Sequence, residues 1–350
     1  MKSNYRKLGE YIRQVDVRNA EGKKENLLGV SVQKVFIPSI ANTVGTDFTK
    51  YKVVKKGQFT YIPDTSRRGD KIGIALLEEY DEGLVSNVYT VFEIINENEL
   101  LPKYLMLWFN RPEFDRYARF KSHGSVREVM DWEEMCNVEL PVPDISEQRK
   151  IVRAYKIVDE RIKLKRRIND NLEAILTVVF YEKFFSKETA EHSKLSELMN
   201  FGNGKSRPKT DGTIPVYGGN GVLSYTDQHN IENAILIGRV GAYCGSVYLE
   251  QGICWVSDNA IFAKSKITKD EFFDYFLLKG LNLFNHHVGT GQQLLTQEIL
   301  NNIEITKLDI EQIRLFNQRA KSVFETISAN KSEIIRLQEL SDLLLTRLAG

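Results

Sequence analysis

Short segments of this chain recur in the same order at a steadily falling offset, and that pattern restricts its architecture more than any single motif does. Lys7-Leu8-Gly9-Glu10-Tyr11-Ile12 is echoed by Lys194-Leu195-Ser196-Glu197-Leu198-Met199, 187 positions later. Val85-Ser86-Asn87 is echoed by Val256-Ser257-Asp258 at a shift of 171. Gly124-Ser125 matches Gly289-Thr290, and Asn137-Val138-Glu139-Leu140 matches Asn302-Ile303-Glu304-Ile305, both at 165; Glu147-Gln148 matches Glu311-Gln312 at 164. These five collinear matches describe one duplicated unit, whose first copy carries about 22 extra residues before Gly124.

Each copy ends in a stretch with a heptad seam. Ile151, Tyr155, Val158, Ile162, Lys165, Asn169, Leu172, Leu176 and Val179 alternate steps of four and three. Phe316, Ala320, Val323, Ile327, Asn330, Ile334, Leu337, Ser341, Leu344 and Leu348 do the same. This is the a/d spacing of a coiled coil, and neither stretch holds a proline or glycine. A helix of about 35 residues is about 50 Å long, too long for one face of a small globule. The two seams are therefore expected to pair antiparallel over 147–183 and 311–348. Asn169 and Asn330 would fix the register at some cost in stability.

Ahead of each helix lies a globular segment. The expected division is a first globule over 1–143, a helix over 144–185, a polar linker over 186–194, a second globule over 195–307 and a helix over 308–350. The linker, Ser186-Lys187-Glu188-Thr189-Ala190-Glu191-His192-Ser193, has no large apolar residue. In the second globule, Ile214–Tyr217, Ala234–Ile237 and Ala260–Ala263 read as short strands. Gly218-Gly219-Asn220-Gly221 and Gly238 through Gly245 read as tight turns, residues 271–283 as a helix, and Thr296 as the cap of a short one. The first globule repeats this, with strands around Phe59–Tyr61, Ile72–Leu77 and Val88–Ile94 and helices from Pro102 and Asp131. The fold class is α+β: two mixed domains with short-stranded β cores, an internal pseudo-repeat and two long antiparallel coiled-coil-like helices between them.

Several chemistries lack their residues. Gly202-Asn203-Gly204-Lys205-Ser206 ends like a phosphate-binding loop, but the position of its first glycine is Met199. Phe201-Gly202-Asn203-Gly204 does not complete a dinucleotide fingerprint. Pro141-Val142-Pro143 lacks the aromatic that an amino-methyltransferase motif carries, and Asp64, Asp70 and Lys71 lack the spaced glutamate of a nuclease. Cys136, Cys244 and Cys254 form no CxxC pair, and the adjacent His286 and His287 would point apart, so no metal site is expected. No apolar run is long enough to span a membrane, and Met1 through Lys7 lacks a signal core, so a cytoplasmic location is expected. No catalytic constellation and no cofactor site emerge.

What remains is polar, basic and aromatic residues gathered in glycine-rich turns. In the first globule they are Arg67, Arg68, Lys71, Ser86, Asn87, Lys121, Ser122 and Arg127. In the second they are Lys205, Arg207, Tyr217, Asn220, Arg239, Tyr243, Asn259, His287, Thr290 and Gln292. Arginine and lysine neutralise phosphates, while Arg, Asn and Gln can pair with base edges, so these are candidate DNA-binding residues. The first long helix adds a basic stripe from Arg149 to Arg167. The net charge of only +1 argues against a polyanion-binding tail but leaves room for local basic surfaces. Two other readings stay open on these residues: a standalone methyltransferase or nuclease with an unrecognised site, and a noncatalytic coiled-coil scaffold for another ligand.

The chain resembles a specificity subunit of a type I restriction–modification system, the HsdS family. The likeness is carried by Pro141-Val142-Pro143 running into Glu147-Gln148-Arg149-Lys150-Ile151-Val152, and by Val158-Asp159-Glu160-Arg161-Ile162. The second globule adds Ile214-Pro215-Val216-Tyr217-Gly218-Gly219-Asn220-Gly221, Ile235-Leu236-Ile237-Gly238-Arg239-Val240-Gly241 and Asp258-Asn259-Ala260. The first globule departs most, since it lacks the Gly-Gly-Asn-Gly turn. The resemblance implies two target-recognition domains, each reading half of a bipartite site in double-stranded DNA. It implies that the helix pair, with seam residues Ile151, Val158, Ile162, Asn169, Leu172, Leu176, Val323, Ile327, Asn330, Ile334, Leu337 and Leu344, sets the spacer. It further implies partners: two methyltransferase subunits, which bring S-adenosylmethionine, and a restriction/translocase subunit. The chain itself would be noncatalytic and carry no cofactor.

Overall fold

The structure, a computed structural model, describes residues 5–40, 45–64, 71–122, 128–185, 191–289 and 291–348. They fall into two compact units, one of residues 1–164 with 334–350 and one of residues 165–333.

In unit 1 the chain runs through β1 (Tyr5–Lys7), β2 (Ile12–Val15), β3 (Leu28–Val30), β4 (Phe36–Pro38), β5 (Lys52–Lys55), β6 (Phe59–Ile62), β7 (Gly73–Leu76), β8 (Glu82–Val85) and β9 (Thr90–Ile94). There follow α1 (Pro102–Phe109), α2 (Pro112–Lys121), α3 (Trp132–Cys136) and β10 (Glu139–Pro141). The long α4 (Ile145–Phe184) starts in unit 1 and ends in unit 2. Unit 2 then holds β11 (His192–Lys194), α5 (Leu195–Leu198), β12 (Met199–Asn203), β13 (Ile214–Gly218), β14 (Gly221–Thr226), β15 (Ile231–Gly238), β16 (Val247–Val256) and β17 (Ala260–Ser265). After α6 (Phe272–Gly280), α7 (Gln297–Asn302) and β18 (Glu304–Thr306), α8 (Ile310–Arg347) leads back into unit 1.

The duplication is visible in strand order and register. Unit 1 has a sheet of order β2-β9-β6-β7, and unit 2 a sheet of order β12-β17-β15-β16-β13-β14, so the first four places correspond. Ile12 faces Ile94 as Met199 faces Ser265, and Phe59 faces Phe92 as Ile235 faces Ala263. Each domain also closes on itself. β1 pairs antiparallel with β10, Lys7 opposite Glu139, and β11 with β18, Lys194 opposite Glu304. Lys7 Nζ donates to Asn137 Oδ1 at 3.2 Å, and Lys194 Nζ to Asn302 Oδ1 at 2.9 Å. Leu8 N donates to the Val138 carbonyl at 2.8 Å and Leu195 N to that of Ile303 at 3.0 Å. His192–Lys194, expected to end a linker, is thus the strand β11. A polar three-residue strand joined through its backbone and one lysine leaves no hydrophobic alternation to read. Residues 186–190 of that linker lie outside the described residues.

Local signals set the helix starts. Pro102 supplies a preset φ at the head of α1, whose Tyr104, Leu105, Leu107, Trp108 and Phe109 are buried. Asp131 accepts the Glu134 amide at 2.9 Å to cap α3, and Thr296 accepts that of Ile299 at 3.2 Å to cap α7. The core of unit 1 centres on Phe59 and Phe92, stacked at 4.9 Å, with Tyr61 and Phe109. That of unit 2 centres on Phe180, Phe273, Phe276 and Phe316.

The heptad seam does three jobs along its length. In unit 1, Val158 and Ile162 of α4 meet Ile334, Leu337 and Leu344 of α8 in one cluster, while Ile151 packs into the core of its own domain. In unit 2, Leu172, Leu176, Val323 and Ile327 join the core around Phe180. Contacts there run antiparallel: Lys165 Nζ meets Glu333 at 2.9 Å, Asn330 Nδ2 donates to Asn169 Oδ1 at 2.8 Å, and Phe180 meets Phe316 at 5.3 Å. Val179, expected on the seam, is instead 40% exposed, and Phe180 takes its place. The buried positions Leu176, Phe180 and Phe184 step by four because this end packs on a globular core rather than on one partner helix.

Two stability predictions follow from these burials. Ile334→Ala should lower the unfolding free energy by about 2–4 kcal/mol, against under about 0.5 kcal/mol for Ile335→Ala on the exposed face, as measured by denaturant titration. Asp274 of α6 is 1% exposed, and burial, reinforced by the Glu271 charge and opposed by the Ser265 hydroxyl, pushes its carboxyl up to about 7. Between its unfolded value near about 4 and 7 the native state holds the extra proton, so this group makes stability fall as pH rises through that window. Asp274→Asn should flatten that part of the melting temperature–pH curve.

Candidate nucleic-acid interface

Four loops of unit 2 come together along one ridge. β13 and β14 are joined by the two-residue turn Gly219-Asn220, in which Gly221, at φ +79°, takes the left-handed conformation. Asn220 therefore does not serve as the left-handed residue of the turn, and its amide is exposed. Ser246 Oγ donates to the Gly219 carbonyl at 2.5 Å. A Cβ on Gly219 would lie 3.7 Å from the Asn259 carbonyl, from Gly238 Cα and from Tyr243 Cβ. A Cβ on Gly238 would run into the Tyr243 carbonyl, so glycine is required where β15 ends.

The loop after β15 is tied on both sides. Arg239 N donates to the Asn259 carbonyl at 3.0 Å, and the Arg239 carbonyl accepts from Leu295 N at 2.9 Å. Gly241 N donates to the Gln293 carbonyl at 3.0 Å. Val288 and Leu294 exchange two backbone hydrogen bonds of 2.9 Å, closing a small loop that carries Gln292 exposed. Asn220, Arg239, Tyr243, Asn259 and Gln292 are thus brought to one edge, with Tyr243 51% exposed. The Arg239 side chain is half-buried, and its Nε, out of contact with solvent, has no hydrogen-bond acceptor among the described residues. An orphaned buried donor costs about 1–3 kcal/mol. A guanidinium held this way is suited to an anionic ligand that reaches the ridge.

Other candidates are placed differently. His287 Nδ1 donates to the Phe284 carbonyl at 2.5 Å, leaving Nε2 as its free edge. Tyr217 donates its hydroxyl to Glu250 Oε2 at 3.0 Å; burial and that carboxylate push its phenol well above the ordinary range. Its polar end is spent inside the domain. Lys205 is exposed, with its backbone bonded to Val256 and Trp255, and Arg207 is exposed nearby in sequence. In unit 1, Lys71 and Asn87 are exposed, and Ser86 Oγ donates to Asn87 Oδ1 at 3.4 Å. Lys121 meets Glu134 at 3.4 Å, and Ser122 is buried with its hydroxyl on the Ala118 carbonyl at 2.6 Å, where it ends α2. Arg67, Arg68, Arg127 and Thr290 lie outside the described residues. On α4, Lys150, Lys156 and Lys163 pair along the helix with Glu147, Glu160 and Asp159 at 3.1, 3.6 and 2.8 Å, which partly neutralises the basic stripe.

Ser246 and Leu295 build the ridge without having been marked by sequence. The offset of 165 that relates Gly124 to Gly289 does extend to Met130 and Leu295. Met130 N donates to the Pro63 carbonyl at 3.0 Å just as Leu295 N does to that of Arg239. The repeat therefore keeps the clasp but sets proline where unit 2 has arginine. Among the described residues, no group of three or more His, Cys, Asp or Glu is placed to hold a metal, and no helix is long and apolar enough to cross a membrane.

The family model for the type I restriction modification DNA specificity domain matches residues 2–174 and again 187–313. The chain belongs to this family. It is 28% identical over 153 residues to the HindI specificity subunit of a type I restriction enzyme from Haemophilus influenzae, a match covering 43% of this chain and 33% of that subunit. It is 21% identical over 305 residues to the MjaIX specificity subunit from Methanocaldococcus jannaschii, covering 73% of this chain and 70% of that one. The chain thus spans a third of the length of the HindI subunit in that match. In fold it is similar to the type I restriction–modification S subunit from M. genitalium, with a TM-score of 0.62 at 16% identity over 99% of this chain and 96% of that one. A chain solved in work on complex assembly and conformational transition of the type I R-M system gives 0.51 at 17% identity, over 98% and 96%. As a specificity-family fold, the α+β architecture with two domains and two long helices agrees with the sequence reading.

Proposed function

We propose that this chain is the noncatalytic DNA-recognition subunit of a type I restriction–modification complex. Each domain reads one half of a bipartite target in double-stranded DNA. The helices α4 and α8 set the spacer and dock two methyltransferase subunits, and a restriction/translocase subunit joins the assembly. Adenine methylation and cleavage belong to those partners, and no cofactor is bound here. The observation that carries the reading is the ridge of unit 2. There, exposed Asn220, Tyr243, Asn259 and Gln292 stand beside an arginine whose buried Nε lacks a protein acceptor. Amides that can pair with base edges next to a guanidinium that can take a phosphate are what duplex recognition requires. The HindI and MjaIX subunits named above support the same reading.

The test is a map of methylated adenines in DNA from cells carrying this chain with its partner methyltransferase. A bipartite motif is expected, and exchange of residues 195–305 for the equivalent domain of a relative should change one half of it only. Loss of methylation at every sequence when the chain is intact and partner-bound would overturn the proposal.

Arg239 is assigned to phosphate, since a tied strand end with small neighbours fixes it close to a backbone. Arg239→Ala should weaken binding to all sequences alike and lower the slope of log affinity against log salt by roughly one unit. A loss confined to one half-site would mean that Arg239 reads a base instead. Binding titrations at several salt concentrations separate the two.

A further inference from the structure

Each long helix carries, near its start, one buried amide side chain that is spent on its own domain. In unit 1, Gln148 of α4 is 0% exposed. Its Nε2 donates to the Glu99 carbonyl at 2.7 Å and to the Pro143 carbonyl at 2.8 Å, and its Oε1 accepts from Leu101 N at 2.9 Å. In unit 2, Asn317 of α8 is 3% exposed. Its Oδ1 accepts from Phe273 N at 2.7 Å, and its Nδ2 donates to the Thr268 hydroxyl at 2.7 Å, which in turn donates to the Asp270 carbonyl. The backbone amides reached, those of Leu101 and Phe273, stand at the heads of α1 and α6, the helices that follow the last sheet strand of each domain. Neither helix is capped by the side chain at its own N-cap position, Leu101 or Glu271. The leading amides of a helix need acceptors from outside it. In both domains one of these acceptors comes from the long helix.

We infer that Gln148 and Asn317 are positioning residues: each fixes the direction in which its long helix leaves its domain, and with it how sharply the chain discriminates spacer lengths. The inference rests on the DNA-reading function proposed above. The packing beside these amides is apolar: Ile151, Val152 and Tyr155 lie on the core of unit 1, and Ile313, Phe316 and Ala320 join that of unit 2. Apolar contact is non-directional and tolerates a small rotation. Hydrogen bonds weaken steeply with misalignment, so three of them on one amide leave the start of α4 little freedom to tilt. The lever is long. The 40 residues of α4 extend about 60 Å, so a tilt of about 5° at its start moves its far end by about 5 Å, against about 3.4 Å between base pairs. The repeat does not keep the amide in place. The offset of 164 relates Gln148 to Gln312, which is only half-buried, and the amide that serves α8 is Asn317, five positions further on. Two copies that differ in position and residue type, yet both bond the long helix to the head of α1 or α6, meet a common requirement. An apolar residue at either site would bury more hydrocarbon but would leave the helix amide without this acceptor.

The experiment uses the full chain with its partner methyltransferase subunits. Adenine methylation is read on DNA in which both half-sites of the mapped target are kept and the spacer is shortened or lengthened by one base pair. Gln148→Met and Asn317→Leu keep the side-chain volume and remove the hydrogen bonds. In each variant the preference for the native spacer over its neighbours should fall about 5- to 10-fold, about the factor that one net hydrogen bond is worth, with the bases of both half-sites unchanged. Val54→Ala, in a separate apolar cluster of unit 1, should lower the melting temperature yet leave that preference as it was. If Gln148→Met and Asn317→Leu lower methylation at every spacer alike, the amides serve stability alone and the inference is overturned. Should these variants not assemble, Gln148→Ala and Asn317→Ala decide, because the vacated space admits water to the freed backbone groups, which keeps the fold and removes the tie. An unchanged spacer preference in the alanine variants would refute the positioning role. If the unaltered chain with its partner marks no bipartite sequence, it is the DNA-reading function itself that fails.

Discussion

The closing strand pair of each domain is the constraint on which the other parts depend. β1 with β10 and β11 with β18 bring the first and last residues of a domain side by side, and a long helix begins within a few residues of each pair. Burial of Leu8 and Leu195, both at 0% exposure, anchors these pairs from below, and the Lys7–Asn137 and Lys194–Asn302 bonds lock them at the edge. With its ends joined, a domain is a loop seen from its helix, so inserted residues inside it leave the helix start where it was. The closure entropy of a longer loop grows only slowly with length. Unit 1 can therefore carry a longer insert than unit 2 and still deliver α4 to the same closing pair.

Inside that frame, glycine and backbone hydrogen bonding do the positioning, and side chains are left free for contact. Gly238 admits the Tyr243 carbonyl at close range, and the Arg239 and Gly241 amides are satisfied by Asn259 and Gln293. A loop tied through its backbone at Arg239 and Gly241 to neighbouring loops is held at little side-chain expense. Rigidity matters for recognition because the ordering of a mobile loop would be subtracted from the binding free energy. The orphaned Arg239 Nε is the local cost of this arrangement.

Much of this was legible in the sequence because it lives in local chemistry or in offsets. Pro102, Asp131 and Thr296 announce helix starts through a fixed φ or a side-chain cap. The offsets of 187, 171 and 165 match the strand pairings that relate Ile12 to Met199 and Ile94 to Ser265, and the clasp that relates Met130 to Leu295. What stayed hidden depends on partners distant in sequence. β11 has no apolar pattern because it is joined through its backbone and the polar Lys194 side chain. β12 and β14 were not foreseen, since Gly202 reads as part of a phosphate-loop look-alike and Gly221 as a turn residue; at Gly202 the Phe262 ring occupies the space of a side chain. Ser122 and Tyr217 look like exposed contact residues by type, yet the hydroxyl of one ends a helix and that of the other meets Glu250.

The polar center of the helix pair in unit 2 shows why a costly choice can persist. Asn330 is 6% exposed, and its side chain both donates to Asn169 and accepts from Lys165 Nζ at 2.7 Å. Leucine at these two positions would bury more apolar surface and would be expected to stabilise the pair. It would also remove a polar contact that discriminates between registers, since Val, Ile and Leu elsewhere on the seam pack acceptably after a shift by one heptad. A slip would leave the Asn330 amide facing apolar side chains, with both its donor and its acceptor buried and unpaired, at about 1–3 kcal/mol for each. Alignment of α4 with α8 is held by a hydrogen-bonded pair rather than by packing alone.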